Sequence, residues 1–288
     1  MTVRREWNEL PEGAKHAVEC VIGKVSKAVS TPGGRNSELS ETLWTDDGPI
    51  FCKGITTDSP ISYMHRNEIT VSPHLPTGLA PRLLWHFEAD GWLLLGFEHV
   101  AGQHADLAPD SSHLPLVAEA VGQINSAVVP PTPATGVRRI SDQWARALKR
   151  ESEFDMPASS DPWTAAHAPL LSELADRAPS YMDGSTLIHS DLNPTNFVVS
   201  DHARVVDWAW WQTGAAWFDP AYLVIRLIAE GHDPESAEKW AQQFDAFAAA
   251  PPDAITTFAA SAVRLWERRF AHTAATEAAR RWVRYRTN

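Results

Sequence analysis

The chain has little cysteine, no long apolar run and no excess of positive charge, and each shortage removes a class of function. Only Cys20 and Cys52 occur among 288 residues. Their spacing suits neither a zinc site nor a disulfide framework, and a reducing compartment fits. No stretch approaches the length of a membrane span. The first residues, "MTVRREWNELPEG", hold no signal core. A cytoplasmic protein with no membrane partner is therefore expected. The formal net charge is −11, which argues against nucleic acid, since such a partner requires a basic face. Acidity of this size is compatible with a cationic ligand but does not demand one. What is present is ordinary globular material, 44% hydrophobic and 21% charged, enough to build a full core. A monomer and a homodimer are both compatible with it.

The pattern along the chain changes near residues 98–102. Before that point, residues 11–22 read as a short amphipathic helix. Three short strands follow, separated by "TPGGRNS" and "TDDGP", both rich in turn formers. Residues 59–72 read as a helix with Ser59 as cap and Pro60 at its first position. "PRLLWHFEADGWLLLGFEHV" reads as a hairpin turning at "EADG". After that point the periodicity is helical over 113–128, 139–153, 162–178, 219–231, 234–249, 252–271 and 273–286. Two brief strands, "NFVV" and "ARVVD", interrupt it. "VVPPTPATG" (128–136) reads as a surface connection. The expectation is an α+β, two-lobed chain. Residues 1–98 form a small antiparallel β lobe with one helix, and 99–288 a larger, mainly helical lobe.

The chemistry concentrates in "LIHSDLNPTNFVVSDHARVVDW", residues 187–208. Histidine, one residue, aspartate, four residues, asparagine is the spacing of a kinase catalytic loop. An aspartate there accepts or orients the proton of an attacking hydroxyl. The asparagine and a second aspartate at the end of the next strand offer hard oxygen ligands to Mg2+. These are Asp191, Asn196 and Asp207. Taken singly, Asn196 could be a turn cap and Asp207 a helix cap, and His189 reads as a brace of the loop. Lys53, in "PIFCKGI", sits within an apolar strand, where an ammonium needs a partner. Glu68 on the following helix is the best placed, and the pair would grip nucleotide phosphates. Gly33, Gly34, Asn36 and Ser37 in the first turn can cradle phosphate oxygens with backbone amides. The backbone around Glu98 and Val100 falls where the lobes join and can hydrogen-bond a nucleotide base. ATP is the expected cofactor, with GTP compatible because backbone reads the base.

On "LIHSDLNPTNFVV", "VVDW" and "WFDPAYL", the chain resembles the aminoglycoside phosphotransferase family, small-molecule kinases with a protein-kinase-like fold. The resemblance runs from about residue 25 to about residue 230. It implies that Asp191 is the catalytic base, that Asn196 and Asp207 bind magnesium, and that Asp219 braces the catalytic loop. It also maps the nucleotide lysine and its glutamate onto Lys53 and Glu68. Two departures from protein kinases are informative. Asp207 is followed by Trp208-Ala209 rather than Phe-Gly, and only a short segment separates it from Asp219. No room remains for an activation loop, which favours a constitutively assembled enzyme acting on a small molecule.

The acceptor is expected on the helical lobe. Glu151, Glu153, Asp155, Asp161, Glu230, Asp233 and Glu235 could face a polycation there. Trp210 and Trp211 could stack on a sugar or a flat ring, whereas Trp208 reads as core. The leading expectation is transfer of the ATP γ-phosphoryl group to a hydroxyl of an antibiotic such as an aminoglycoside. A metabolite kinase for a sugar, amino alcohol or amino acid is the alternative, and a nucleotide-binding pseudokinase a further one.

Overall fold

The computed structural model describes residues 3–31, 36–130, 138–153, 159 and 161–288. Gly33, Gly34 and Asp155 lie outside the described residues. The chain divides into two compact units, one of Met1–Gln103 with Arg204–Trp210, the other of His104–Ala203 with Trp211–Asn288. The first unit thus also takes in a short piece from far along the chain, which no local sequence pattern announces.

In the first unit, helix α1 (Glu12–Ile22) precedes strands β1 (Lys27–Ser30), β2 (Leu39–Thr45) and β3 (Gly48–Thr56). Helix α2 (Tyr63–Val71) follows, then β4 (Leu83–Ala89) and β5 (Trp92–Glu98). The five strands form one sheet in the order β1-β2-β3-β5-β4, antiparallel throughout. The β4–β5 hairpin turns at Asp90 and Gly91, both at positive φ (45° and 78°). That is the geometry a two-residue hairpin turn requires. One face of the sheet is sealed by α1, whose Ala14, Val18 and Ile22 join Leu39, Leu43, Cys52 and Leu94 in an apolar cluster. Ile55, Leu93, Leu95 and Phe97 form a second cluster with Ile61 and Ile69 packed against it. Helix α2 begins later than its sequence suggests. Residues 59–62 form a turn closed by Ser62 N–H donating to the Ser59 carbonyl at 3.0 Å. Tyr63 is the first α residue, and Ser62 caps it without a side-chain bond.

The second unit is mainly helical. It opens beyond the short strand β6 (Gln103–His104) with α3 (His113–Ile124), α4 (Ile140–Ser152), α5 (Pro162–Ala166) and α6 (Ala168–Met182). Short strands β7 (Thr186–Ile188), β8 (Phe197–Val199) and β10 (Gln212–Gly214) follow, with β9 (Ala203–Val205) running into the Arg204–Trp210 piece of the first unit. Helices α7 (Phe218–Ala229), α8 (Pro234–Ala241), α9 (Asp245–Ala248), α10 (Pro252–Phe270) and α11 (Ala274–Thr287) complete the chain. Strands β7 and β10 pair antiparallel, Ile188 opposite Gln212. Two helices expected to be continuous are broken. The 162–178 segment restarts at Ala168, because Pro169 in its first turn has no N–H for a continuing ladder. The 234–249 segment breaks where Phe244 turns extended, buried against Trp240 with ring centroids 5.3 Å apart. The core of this unit is aromatic. Phe258, fully buried on α10, meets Trp144, Trp217, Phe218 and Trp282 within 6.0 Å of its ring centroid. Among the described residues, no helix is long and apolar enough to cross a membrane.

Gly96 marks the tightest point of the sheet, because a Cβ there would run into the Trp85 indole. Gly96→Ala should destabilise the protein by about 2 kcal/mol through overpacking, read as a lower urea midpoint with an unchanged slope.

Candidate active site

Lys53 lies on β3, paired with Ser40 of β2 on one side and Leu95 of β5 on the other. On a central strand its side chain is largely buried. Its Nζ donates to Glu68 Oε1 and Oε2 at 3.0 and 2.9 Å and to Asp207 Oδ1 at 3.1 Å. Burial works against the ammonium, but Asp207 and then Glu68 outweigh it and hold Lys53 above its ordinary pKa. One positive charge faces two carboxylates, so the cluster carries a surplus negative charge. Burial first, then the Asp207 charge, pushes Glu68 upward against the pull of Lys53.

Asp207 is aimed by its backbone. It sits at φ 63°, a left-handed conformation uncommon for a non-glycine residue. The chain is pinned on both sides of it. Val205 N–H donates to the Leu79 carbonyl at 2.7 Å, Trp208 Nε1 to the Val205 carbonyl at 3.0 Å, and Asn67 Nδ2 to the Ala209 carbonyl at 2.8 Å. Beside the cluster, His65 is 1% exposed, with Nε2 3.2 Å from Ser37 Oγ. Burial first, then the Lys53 charge, lowers its pKa to about 3, so it is a neutral spacer. Asn36 is half-buried. Phe51, Leu75, Pro81, Phe97, Val206 and Trp208 line an apolar cavity that closes on Lys53, Glu68 and Asp207. Next along β5, the Glu98 carboxylate is held by Arg204 Nη1 (2.9 Å) and, at 3.4 Å, by Arg82 Nε. Val100 follows in irregular, half-buried chain.

The second unit holds the His189–Asn196 loop. Strand β7 delivers it, and Asp219, in the first turn of α7, ties it down. The two Asp219 oxygens accept from the backbone N–H of His189 (2.7 Å) and of Ser190 (2.9 Å). Ser190 is at φ 65°, so the chain reverses there and projects Asp191. His189 is fully buried, and its Nδ1 accepts from Asp191 N–H at 3.3 Å. Asn193 forms an Asx turn, its Oδ1 accepting from Thr195 N–H at 3.1 Å. Asn196 Nδ2 donates to the Asp191 carbonyl at 2.8 Å, which fixes the amide and turns its Oδ1 to the opposite side. Asp219 is 1% exposed. Burial pushes its pKa up to about 6, against the two backbone donors and with a small push from Asp191.

Two residues of this unit that sequence reading passed over stand beside Asp191. Tyr222 OH lies 3.4 Å from Asp191 Oδ1 and accepts from Arg226 Nη2 at 2.8 Å. Asp219, Tyr222 and Arg226 follow each other at three- and four-residue steps along α7. That spacing places them on one face and was the available signal. The residues expected to meet an acceptor are dispersed. Trp211 is 2% exposed, which leaves no face for stacking, while Trp210 is half-buried. Glu230 is exposed at the C-terminal end of α7. Asp233 is the N-cap of α8, accepting from Ser236 N–H at 2.9 Å.

The Asp219 tie has a pH signature. Its folded pKa of about 6 lies above the ordinary 3.8. Its protonated form is therefore favoured by folding, and that stability is full below about pH 4 and lost as pH rises through about 6. Two units correspond to roughly 3 kcal/mol. In Asp219→Asn this part of the stability–pH slope should disappear. At pH 7.5 the variant should also lose about 1–3 kcal/mol, because an amide cannot accept from both N–H groups. Urea melts of both proteins from pH 4.5 to 7.5 check this.

The model of the phosphotransferase enzyme family matches residues 57–279. No curated protein sequence matches the chain. Among solved structures, it is similar to a thermostable mutant of aminoglycoside phosphotransferase APH(4)-Ia in ternary complex with AMP-PNP and hygromycin B. The TM-score is 0.64 at 13% identity, covering 94% of this chain and 97% of that one. It is also similar to choline kinase LicA from Streptococcus pneumoniae, with a TM-score of 0.59 at 13% identity, covering 95% and 97%. For the GDP complex of an aminoglycoside 2'-phosphotransferase-IIIa mutant the values are 0.53 at 15% identity, covering 92% of each chain. At these identities the structural likeness speaks for the fold, the α+β protein-kinase-like fold, and the family match speaks for the chemistry. The chain belongs to the phosphotransferase enzyme family and is a small-molecule phosphotransferase.

Proposed function

We propose that the enzyme moves the γ-phosphoryl group of ATP to a hydroxyl of a small molecule, in the cytoplasm and with magnesium. The observation that carries this reading is the Lys53 ammonium gripped by Glu68 and Asp207 at the mouth of an apolar cavity. An adenine ring suits the apolar lining, and Lys53 lies where the phosphates would follow. Gly33, Gly34, Asn36 and Ser37 remain candidates for covering those phosphates, and Glu98 and Val100 for meeting the base through backbone.

Asp191 is the acceptor-side carboxylate. As the acceptor oxygen bonds to the γ-phosphorus, the bond from that phosphorus to the β,γ-bridging oxygen breaks and ADP leaves. The hydroxyl proton passes to Asp191. Asn196 and Asp207 are the magnesium ligands. Both offer hard oxygen, the donor type that ion takes, and the Asn196 amide is already oriented with its nitrogen engaged. When bound, the ion neutralises charge on the phosphates. His189 and Asp219 hold the loop and touch neither substrate. Positioning and charge neutralisation supply most of the acceleration.

An antibiotic is the first acceptor class to test, since similar folds include an enzyme crystallised with hygromycin B. A metabolite is the second, since they also include a choline kinase. Asp191→Ala should cut transfer by about 100-fold to 10,000-fold while preserving the thermal shift given by magnesium and ATP. Mass spectrometry of products across an antibiotic and metabolite panel reads both. Wild-type rates in the variant would remove Asp191 from its role.

A further inference from the structure

The charge layout of the helical unit narrows the acceptor. Several acids of this unit are already engaged, whereas Glu153, Glu230 and Glu235 stand exposed on its surface. Glu151 is buried and accepts from Arg268 Nε at 2.6 Å and Nη2 at 2.9 Å. Asp161 caps α5 and takes both contacts from Arg284 at 3.2 Å. Glu267 is paired with Arg280 at 2.7 Å and Asp176 with Arg264 at 2.7 Å. Asp233 is spent on the α8 cap. An ammonium meeting one of the four paired acids would have to displace its arginine.

Beside the catalytic carboxylate the sign is the reverse of what a polycation requires. The Arg226 guanidinium lies over the Tyr222 ring at 4.8 Å and the Trp266 ring at 5.4 Å from their centroids. Through the Tyr222 hydroxyl it stands two hydrogen-bond contacts from Asp191. Among the described residues it has no carboxylate within ion-pairing distance, and its Nε is buried without a partner. A guanidinium held over two rings and short of a counter-ion is prepared to meet an oxygen anion or carbonyl. Behind the loop lie the buried Asp219 carboxylate, tied to the loop backbone, and a neutral amide pair. Gln212 Nε2 donates to Gln143 Oε1 at 2.6 Å and to Ser190 Oγ at 3.3 Å.

We infer that the acceptor carries no ammonium near its reacting hydroxyl and presents a carboxylate, phosphate or carbonyl oxygen to Arg226, which is the specificity-determining residue of this site. This rests on the phosphotransferase reading with Asp191 as base. It narrows the acceptor away from aminoglycosides to hydroxylated molecules that are neutral or anionic.

The test offers magnesium and ATP with three sets of hydroxyl compounds. These are aminoglycosides (hygromycin B and kanamycin), neutral carbonyl-bearing alcohols without an amine (uridine and chloramphenicol), and small hydroxy acids and sugar phosphates. ADP formation and product mass are the readouts. Turnover confined to the second or third set is the expected result. In Arg226→Gln the KM of that acceptor should rise by about tenfold or more, with the KM for ATP unchanged and partial recovery in Arg226→Lys. Phosphorylated aminoglycoside would overturn the inference and leave the function intact. No turnover of any set would overturn the function reading itself. Turnover of a neutral or anionic acceptor with an unaltered KM in a folded Arg226→Gln would remove Arg226 from its role.

Discussion

One ammonium shared by two carboxylates organises the first unit. Lys53 is largely buried on a central strand, and an unpaired charge there would be costly. Glu68 and Asp207 make the position tolerable, and in doing so they fix three separate pieces of chain: β3, α2 and the turn beyond β9. The left-handed backbone at Asp207, the Asn67 bond to Ala209 and the neutral His65 beside the cluster all serve that arrangement. Two carboxylates against one ammonium leave the cluster electrostatically incomplete. Such a cluster persists and still presents surplus negative charge at the cavity.

The second unit solves a different problem with the same economy of parts. A loop carrying Asp191 and Asn196 must be rigid without a strand ladder to hold it. Asp219 supplies the missing acceptors for two backbone N–H groups, and its burial at 1% exposure makes that tie strong and pH-sensitive. The α7 face that provides Asp219 also provides Tyr222 and Arg226, so one helix both anchors the loop and sets the charge around its carboxylate.

Much of this was legible in the chain, for identifiable reasons. The His189–Asn196 loop stood out because its polar residues have a fixed spacing and are flanked by apolar strands. Lys53 was readable because a lysine in an apolar strand contradicts its surroundings. The hairpin at Asp90-Gly91 was readable from turn chemistry. Helix starts and breaks were less so. Pro60 suggested a first helical position, but backbone bonds closed a separate turn, and Pro169 and Phe244 broke helices whose periodicity looked continuous. Strands β6, β7 and β10 are too short to leave a period-two signal, and tertiary pairing creates them. The acceptor surroundings were least legible. Acids such as Glu151 and Asp161 look available in sequence, and only the fold shows the arginines, more than a hundred residues away, that occupy them.

The central claim is that the Lys53 cluster is a nucleotide-phosphate site completed by a divalent cation. Calorimetric titration of the wild-type chain with ATP, with magnesium and then with EDTA, tests it most directly. The account predicts that magnesium tightens ATP binding by at least about tenfold, equivalent to roughly 1.4 kcal/mol. Equal affinity in EDTA, or no ATP binding in either condition, would contradict it.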